Sequence, residues 1–234
     1  MIVIKYNEVK KAIFLERPNR FIAKVLIDGN EEIVHVKNTG RCKELLVSGS
    51  TVYLSVSNNP KRKTKFDLIG VDKIIENGIL KINIDSQIPN DVVCEWLKKG
   101  KLFSDKANIK REVFYNKSRF DFYIEDGNRK AFLEVKGVTL EENGIAMFPD
   151  APTERGIKHI NELIEAVNNG YEAYIFFVIQ MNGVRLFTPN CRTHLEFCNA
   201  LKKAYKNGVN ILVYDSIVTN DSIDIDKKIE FNLT

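Results

Sequence analysis

No stretch of this sequence approaches the ~18 consecutive apolar residues that a membrane span requires. Its opening, MIVIKYNEVKKAIFLERPNR, is broken by charge every few positions, unlike a signal peptide. Cysteine is scarce: Cys42, Cys94, Cys191 and Cys198 make no CxxC and no ligand-like pair. That pattern argues against a zinc site and for four reduced, core or half-buried thiols in a cytoplasmic protein, Cys191 and Cys198 flanking a helix. No glycine-rich loop of the phosphate-cradling kind occurs, and the single tryptophan, Trp96, falls in a helical apolar stripe. A sugar-metabolising enzyme or sugar-binding module therefore finds little support. Internal repeats and low-complexity segments are absent too.

What remains is ordinary globular composition, 44% hydrophobic and 28% charged, on a chain long enough to bury a core. The charge is unevenly spread. Residues 1–83 carry 15 Lys and Arg against 9 Asp and Glu, whereas residues 84–234 carry 20 against 22, so the basic excess belongs to the first third. Such asymmetry suits a polyanion-binding module joined to something else. That first third is strand-like. RFIAKVLIDGNEEIVHV alternates on both sides of Asp28-Gly29-Asn30, a hairpin signature, and TVYLSV, FDLIGVDKII and ILKINI follow as further strands. NTGRCKELLVSG reads as a short helical turn closed by Gly49. Five or so short strands with a helix after the third suit a small Greek-key barrel of the OB type, with a sandwich as the alternative. The boundary falls near residue 85, giving a barrel over 1–85 and a second domain over 86–234.

The second domain opens with a helix in DVVCEWLKKG, where Val92, Val93, Trp96 and Leu97 form one stripe and Gly100 closes the end. A strand near 109–115, a hairpin over 118–137 and a helix over 153–168 follow. YEAYIFFVIQ is apolar on both faces, as a buried strand is. THLEFCNALKKAYKNG gives another helix and VNILVYDS a last buried strand. The order helix, three strands, helix, strand, helix, strand is mixed α/β.

The hairpin SRFDFYIEDGNRKAFLEVKG poses a chemical problem. Alternation puts Glu134 and Lys136 on the face of Phe132, while Phe120, Phe122, Leu133 and Val135 form an apolar opposite face. A Gly127-Asn128 loop sets Asp121 directly across from Glu134; an Asp126-Gly127 loop makes the two diagonal neighbours. Either register keeps both carboxylates on one face. Opposed carboxylates repel, and a divalent cation such as Mg²⁺ or Mn²⁺ offsets that repulsion using one or two carboxylates plus waters and phosphate oxygens. With Lys136 beside them, the set has the parts for phosphodiester hydrolysis. On the next helix Arg155, His159 and Glu162 share one arc at the border of the apolar stripe, within reach of a site at the sheet edge. The competing reading is a solvated charge ladder, with Arg155 and His159 merely snorkelling.

Asp121 followed by Glu134-Val135-Lys136 resembles the PD-(D/E)xK nuclease signature, without its leading proline-aspartate pair, since Asp121 follows Phe120. More specific is the ensemble HVKNTGRCKELL, SNNPKRKTKF, SRFDFYI, LEVKGVTL and MFPDAPTERGIKHINEL. Together these resemble the sugar fermentation stimulation protein A family over nearly the whole chain. The resemblance implies an OB-like N-terminal barrel, a restriction-endonuclease-like α/β domain with a mixed sheet, and DNA binding linked to transcriptional regulation of sugar metabolism. Carried over, it places Asp121, Glu134 and Lys136 in the site; Arg155 and His159 join them as catalytic candidates on helical spacing alone. Glu95, the candidate acid on the helix at 91–100, would join Asp121 and Glu134 as a metal ligand.

The DNA contact is expected from NNPKRKTKF, where Lys61, Arg62, Lys63 and Lys65 crowd into a loop between strands, extended by Arg41 and Lys43. Phosphate neutralisation makes such binding salt-sensitive and largely sequence-blind. Phe66 would pack within its strand or stack on a base. No helix has the features of a major-groove reader. The alternative is a non-catalytic regulator that uses the nuclease fold as scaffold. Oligomeric state is left open, a homodimer included.

Overall fold

The computed structural model of the chain describes residues 3–38, 40–57, 59, 61–76 and 78–234. After a two-residue strand β1 (Ile4–Lys5) come β2 (Val9–Asn19), β3 (Ile22–Ile27), β4 (Asn30–Val36), β5 (Thr51–Val56), β6 (Phe66–Ile75) and β7 (Gly78–Asn83). The last six form one sheet in the order β4-β3-β2-β5-β6-β7, and β4 pairs in parallel with β6 through His35–Asp67 and Val36–Leu68. That pairing closes β2 to β6 into a barrel and removes the sandwich alternative. Asp28 and Gly29 both take positive φ, 50° and 82°, as a two-residue turn between β3 and β4 demands. The helical turn expected after β4 is a single turn at 43–45, with Leu46 N bonded to Cys42 O at 2.9 Å; Cys42, Leu45 and Leu46 all pack into the core.

The second half holds α1 (Ile88–Lys98), β8 (Asn108–Tyr115), β9 (Ser118–Asp126), β10 (Arg129–Val138), β11 (Leu140–Glu142) and β12 (Ile145–Phe148). Then come α2 (Glu154–Asn168), β13 (Glu172–Ile179), β14 (Leu186–Pro189), α3 (Leu195–Lys206), β15 (Asn210–Val218) and β16 (Ser222–Lys228). A seven-stranded mixed sheet runs β1-β16-β15-β13-β10-β9-β8, and β11-β12-β14 make a small sheet beside it. Val92, Val93, Trp96 and Leu97 of α1 pack on one face of the large sheet with Leu133, Val135 and Phe176. Ile160, Leu163 and Ile164 of α2 and Leu201 of α3 pack on the other with Phe132, Ile175 and Phe177. Thr153 caps α2 by accepting from Gly156 N at 3.1 Å, which stops the chain at the point where the charged arc begins.

Three observations depart from the sequence expectations. The start of the chain does not lie in the barrel sheet: Ile4 pairs with Ile223 of β16, at the far edge of the large sheet. Cys191 and Cys198 are not free thiols but a disulfide, since the turn into α3 brings their Cα atoms to 5.6 Å; Cys42 and Cys94 are the free, buried pair. Phe120 does not share a face with Phe122. It packs against Phe132 at 5.4 Å on the α2 side, while Phe122 lies in the α1 cluster. Strand β8 changes face at the same level, Ile109 packing with the α1 cluster and Val113 with the other, around Glu112 at φ 57°. Among the described residues no helix is long and apolar enough to cross a membrane.

Candidate active site

The face change has a local cause at Asp121. Strands β9 and β10 pair from Arg129–Asp126 to Leu133–Phe122, the register of the Gly127-Asn128 loop. Gly127 supplies the positive φ, 59°, at the first central turn position. One step further the ladder stops. There the Asp121 side chain takes the place of a backbone partner, Oδ2 accepting from Val135 N at 2.7 Å, while Oδ1 accepts from Asn90 Nδ2 at the start of α1, also 2.7 Å. The residue is thereby held where β9, β10 and the N-terminus of α1 meet.

Glu134 projects from β10 toward α2 and is buried. Its Oε1 accepts from Lys136 Nζ at 2.5 Å and from His159 Nδ1. Arg155 Nε lies 3.4 Å from His159 Nε2, so the geometry makes Nε2 the acceptor and Nδ1 the N–H that points at Glu134. Phe120, turned to this side, meets the His159 ring edge-on at 5.9 Å. Burial by itself would raise the Glu134 pKa; the Lys136 charge and the His159 bond outweigh it and hold the carboxyl below its usual range. Asp121 goes the other way. Burial first and the Glu134 charge second push it up to about 6, against the Val135 N–H, Lys136 and Asn90. Glu134 Oε2 is buried with no hydrogen-bond partner.

Those features fit a hard divalent cation. One carboxylate oxygen is orphaned and a second carboxylate is kept reluctant to ionise by its neighbour's charge; a cation between them would relieve both. Among the described residues no three His, Cys, Asp or Glu side chains form a ready-made metal cage. An ion here would rest on the two carboxylates and take its other positions from water, backbone or phosphate, the manner of Mg²⁺.

Asp121, Glu134, Lys136, His159 and Arg155 are therefore brought together, and Glu95 is not. Glu95 pairs with Lys98 at 2.8 Å, more than a turn beyond the end of α1 that reaches Asp121. The α1 residue at the site is Asn90. Its position beside Pro89 at a helix start is the only trace it leaves in the sequence.

The basic loop also divides. Arg62 grips Asp67 through two bonds of 2.6 and 2.8 Å, and His35 Nδ1 reaches the same carboxylate at 2.8 Å. It is a structural ion pair rather than a free phosphate contact. Lys61, Lys63 and Lys65 make no ion pair among the described residues; Asn58 and Pro60 of the same loop lie outside them. Phe66 is buried in its strand, which leaves it no face for a base. Arg41 and Lys43 border a hollow with Arg17 and Arg20. The sequence reading missed Arg17, whose guanidinium donates to the carbonyls of Asn38, Gly40, Arg41 and Arg20 at 2.6–2.8 Å and so shapes that loop.

Fold and site define a protein of mixed α/β class: an OB barrel followed by a sheet-rich domain, with a buried charged cluster where β9, β10, α1 and α2 converge. The family model described as the SfsA N-terminal OB domain matches residues 15–78, and that of the sugar fermentation stimulation protein RE domain matches 87–222. The chain belongs to the sugar fermentation stimulation protein family. It is 59% identical to the sugar fermentation stimulation protein homolog of Ruminiclostridium cellulolyticum over 98% of this chain and 100% of that one. It is likewise 59% identical to the Clostridium beijerinckii homolog over 95% and 96%. The solved structure of Pyrococcus furiosus SfsA in complex with Ca²⁺ superposes with a TM-score of 0.85 at 28% identity, over 99% of both chains.

Proposed function

We propose that this chain binds DNA through its barrel and carries a divalent-metal-dependent, nuclease-like site at Asp121, Glu134 and Lys136. The observation that carries the reading is the unequal use of Glu134: Oε1 is held by Lys136 and His159, while Oε2 is buried without a partner, and the Glu134 charge helps raise the pKa of Asp121. The Ca²⁺ bound by the Pyrococcus furiosus relative, an oxygen-seeking ion like Mg²⁺, supports it.

In this reading Asp121 and Glu134 would hold Mg²⁺ or Mn²⁺, which supplies an acidified water and neutralises charge on the phosphate. His159 keeps Glu134 ionised and aimed, and Arg155 fixes the His159 tautomer that does so. Lys136 turns its ammonium from Glu134 toward the phosphate as negative charge builds at phosphorus. Water oxygen adds to phosphorus and releases its proton to solvent, the bond to the departing sugar oxygen breaks, and that oxygen takes up a proton from solvent. The lysines at 61, 63 and 65 hold the backbone without reading sequence. Attachment to DNA is also the physical route by which a member of this family would influence sugar metabolism. Purified protein incubated with Mn²⁺ and single-stranded, duplex or branched DNA should nick at least one of them, and Asp121→Ala and Lys136→Ala should not. Intact DNA in all three reactions with the unaltered protein would sink the proposal.

A further inference from the structure

One residue beyond Lys136 the chain enters a second feature. Gly137 borders a cavity of about 300 Å³ between the barrel and the second domain, reached also by Asn38, Gly40, Phe148, Asp150 and Gln180. Its walls are built rather than incidental. Asn38 donates to Ile84 O at 2.9 Å and accepts from Gly40 N at 2.7 Å, and Arg17 holds the carbonyls of both residues. Gln180, buried at 1% exposure, donates its Nε2 to Asn83 O, Asn83 Oδ1 and Asp85 O at 3.0–3.1 Å. With the amide nitrogen so fixed, Oε1 must turn the other way, toward Gly137. A Cβ at 137 would overlap that oxygen and come within 2.9 Å of Pro89 Cγ, so glycine is required for this close approach.

Apart from the Thr139 and Thr153 hydroxyls, the side-chain polar atoms left over among the described residues are acceptors. Gln180 Oε1 and the Asp150 carboxylate take no hydrogen bond among the described residues, and no lysine or arginine lines the cavity. Phe148 and two prolines, Pro149 and Pro152, supply apolar surface. A phosphate would be repelled by Asp150. A bare ion needs a small fraction of this volume, which sits at the lower end of the range for small organic ligands. An occupant that is partly apolar and carries hydrogen-bond donors fits these walls.

Resting on the nuclease-like reading of the neighbouring site, we infer that this cavity receives one unpaired nucleobase of the bound strand, with guanine preferred. Guanine presents two parallel N–H donors on its pairing edge, matched to one carboxylate, and its ring face suits the Phe148–Pro149 wall. That edge is free only outside a duplex, so the substrate class is single-stranded or splayed DNA.

Fluorescence anisotropy in EDTA tests this with thymine-only oligonucleotides carrying a single guanine, a single inosine or neither. Inosine keeps the ring and lacks the 2-amino donor. The guanine strand should bind about tenfold tighter than the other two, a difference expected for one charge-assisted bond. Asp150→Asn should erase the preference without changing affinity for thymine alone; Asp150 is exposed, so folding is not at risk. Gly40→Ala should erase it as well, because the added methyl would stand 2.5 Å from Asp150 Oδ2. Equal affinity of the unaltered protein for all three strands overturns the inference, as does a Mn²⁺ site that disappears in Asp150→Asn, which would make the cavity an ion site. DNA cleavage without guanine preference would reject the pocket alone. A guanine preference without cleavage would reject the nuclease reading alone.

Discussion

Two carboxylates in this molecule sit in nearly the same company. Asp67 in the barrel is flanked by Arg62 and His35; Glu134 in the second domain is flanked by Lys136 and His159. Their bookkeeping of lone pairs differs. The forked guanidinium of Arg62 occupies both oxygens of Asp67, and the histidine adds a further bond to one of them. Burial would raise the pKa of that carboxyl, but these partners bring it below the usual range. At Glu134 lysine and histidine crowd one oxygen and leave the other bare, with Asp121 close enough for its own pKa to be pushed up to about 6. The first cluster is saturated and serves the fold; the second is left incomplete. A buried carboxylate oxygen without a hydrogen-bond partner, rather than the mere presence of charge, separates a candidate site from a structural ion pair.

The largest effect should come from emptying the incomplete cluster. Asp121→Ala and Glu134→Ala are expected to lower Mn²⁺-dependent cleavage at least ~10³-fold in a gel assay. Asp67→Ala should leave cleavage unchanged, lowering stability instead by about 2 kcal/mol, read from urea unfolding. If Asp67→Ala abolished cleavage as well, the distinction between the two clusters would break down.

Next is an effect of opposite sign. Because burial and Glu134 raise the folded-state pKa of Asp121, the folded protein holds a proton between about pH 3.8 and 6 that the unfolded chain has released. The Asp121 contribution to stability therefore declines as pH rises through that window and stays low above it. Asp121→Asn removes the penalty. In EDTA the variant should be more stable than the parent by about 1–3 kcal/mol at pH 8, with the gap closing toward pH 4. Urea midpoints across that range read it directly. A variant less stable than its parent at pH 8 would show that the carboxylate is not strained.

Smaller still are the effects in the basic loop. Replacing Lys61, Lys63 and Lys65 together by alanine should reduce the slope of log affinity against log salt by about 2–3, since each exposed lysine neutralises at most one phosphate. Arg62→Ala should change the slope by well under 1 while lowering stability, since its charge is committed to Asp67. The smallest response is expected from Glu95→Ala, within about twofold of the parent in cleavage, an outcome consistent with an exposed helical ion pair to Lys98.

The same contrast shows what a sequence can disclose. Convergence of Asp121 with Glu134 was legible, because strand alternation and a two-residue loop constrain it from residues a few positions apart, and the observed register is one of the two the loop permits. The arc from Arg155 to His159 was legible for the same reason, by helical spacing. What escaped was set by tertiary contacts. Alternation carried through Asp121 misplaces Phe120, since the side chain replaces a backbone partner and lets the strand turn over. Asn90, not Glu95, reaches the site because α1 approaches by its N-terminus, an orientation no helical pattern specifies. Arg62 looked like a free cation until the closing of β4 onto β6 brought His35 and Asp67 beside it. Pairing of Ile4 with Ile223 joins distant ends of the chain, and the Cys191–Cys198 bond depends on the turn into α3.

Calorimetric titration with Mn²⁺ is the most direct test of the central claim, since it requires neither DNA nor turnover. The unaltered protein should show one binding site whose heat disappears in Asp121→Asn and persists in Asp67→Asn. Absence of binding to the unaltered protein, or the same isotherm in Asp121→Asn, would contradict the account.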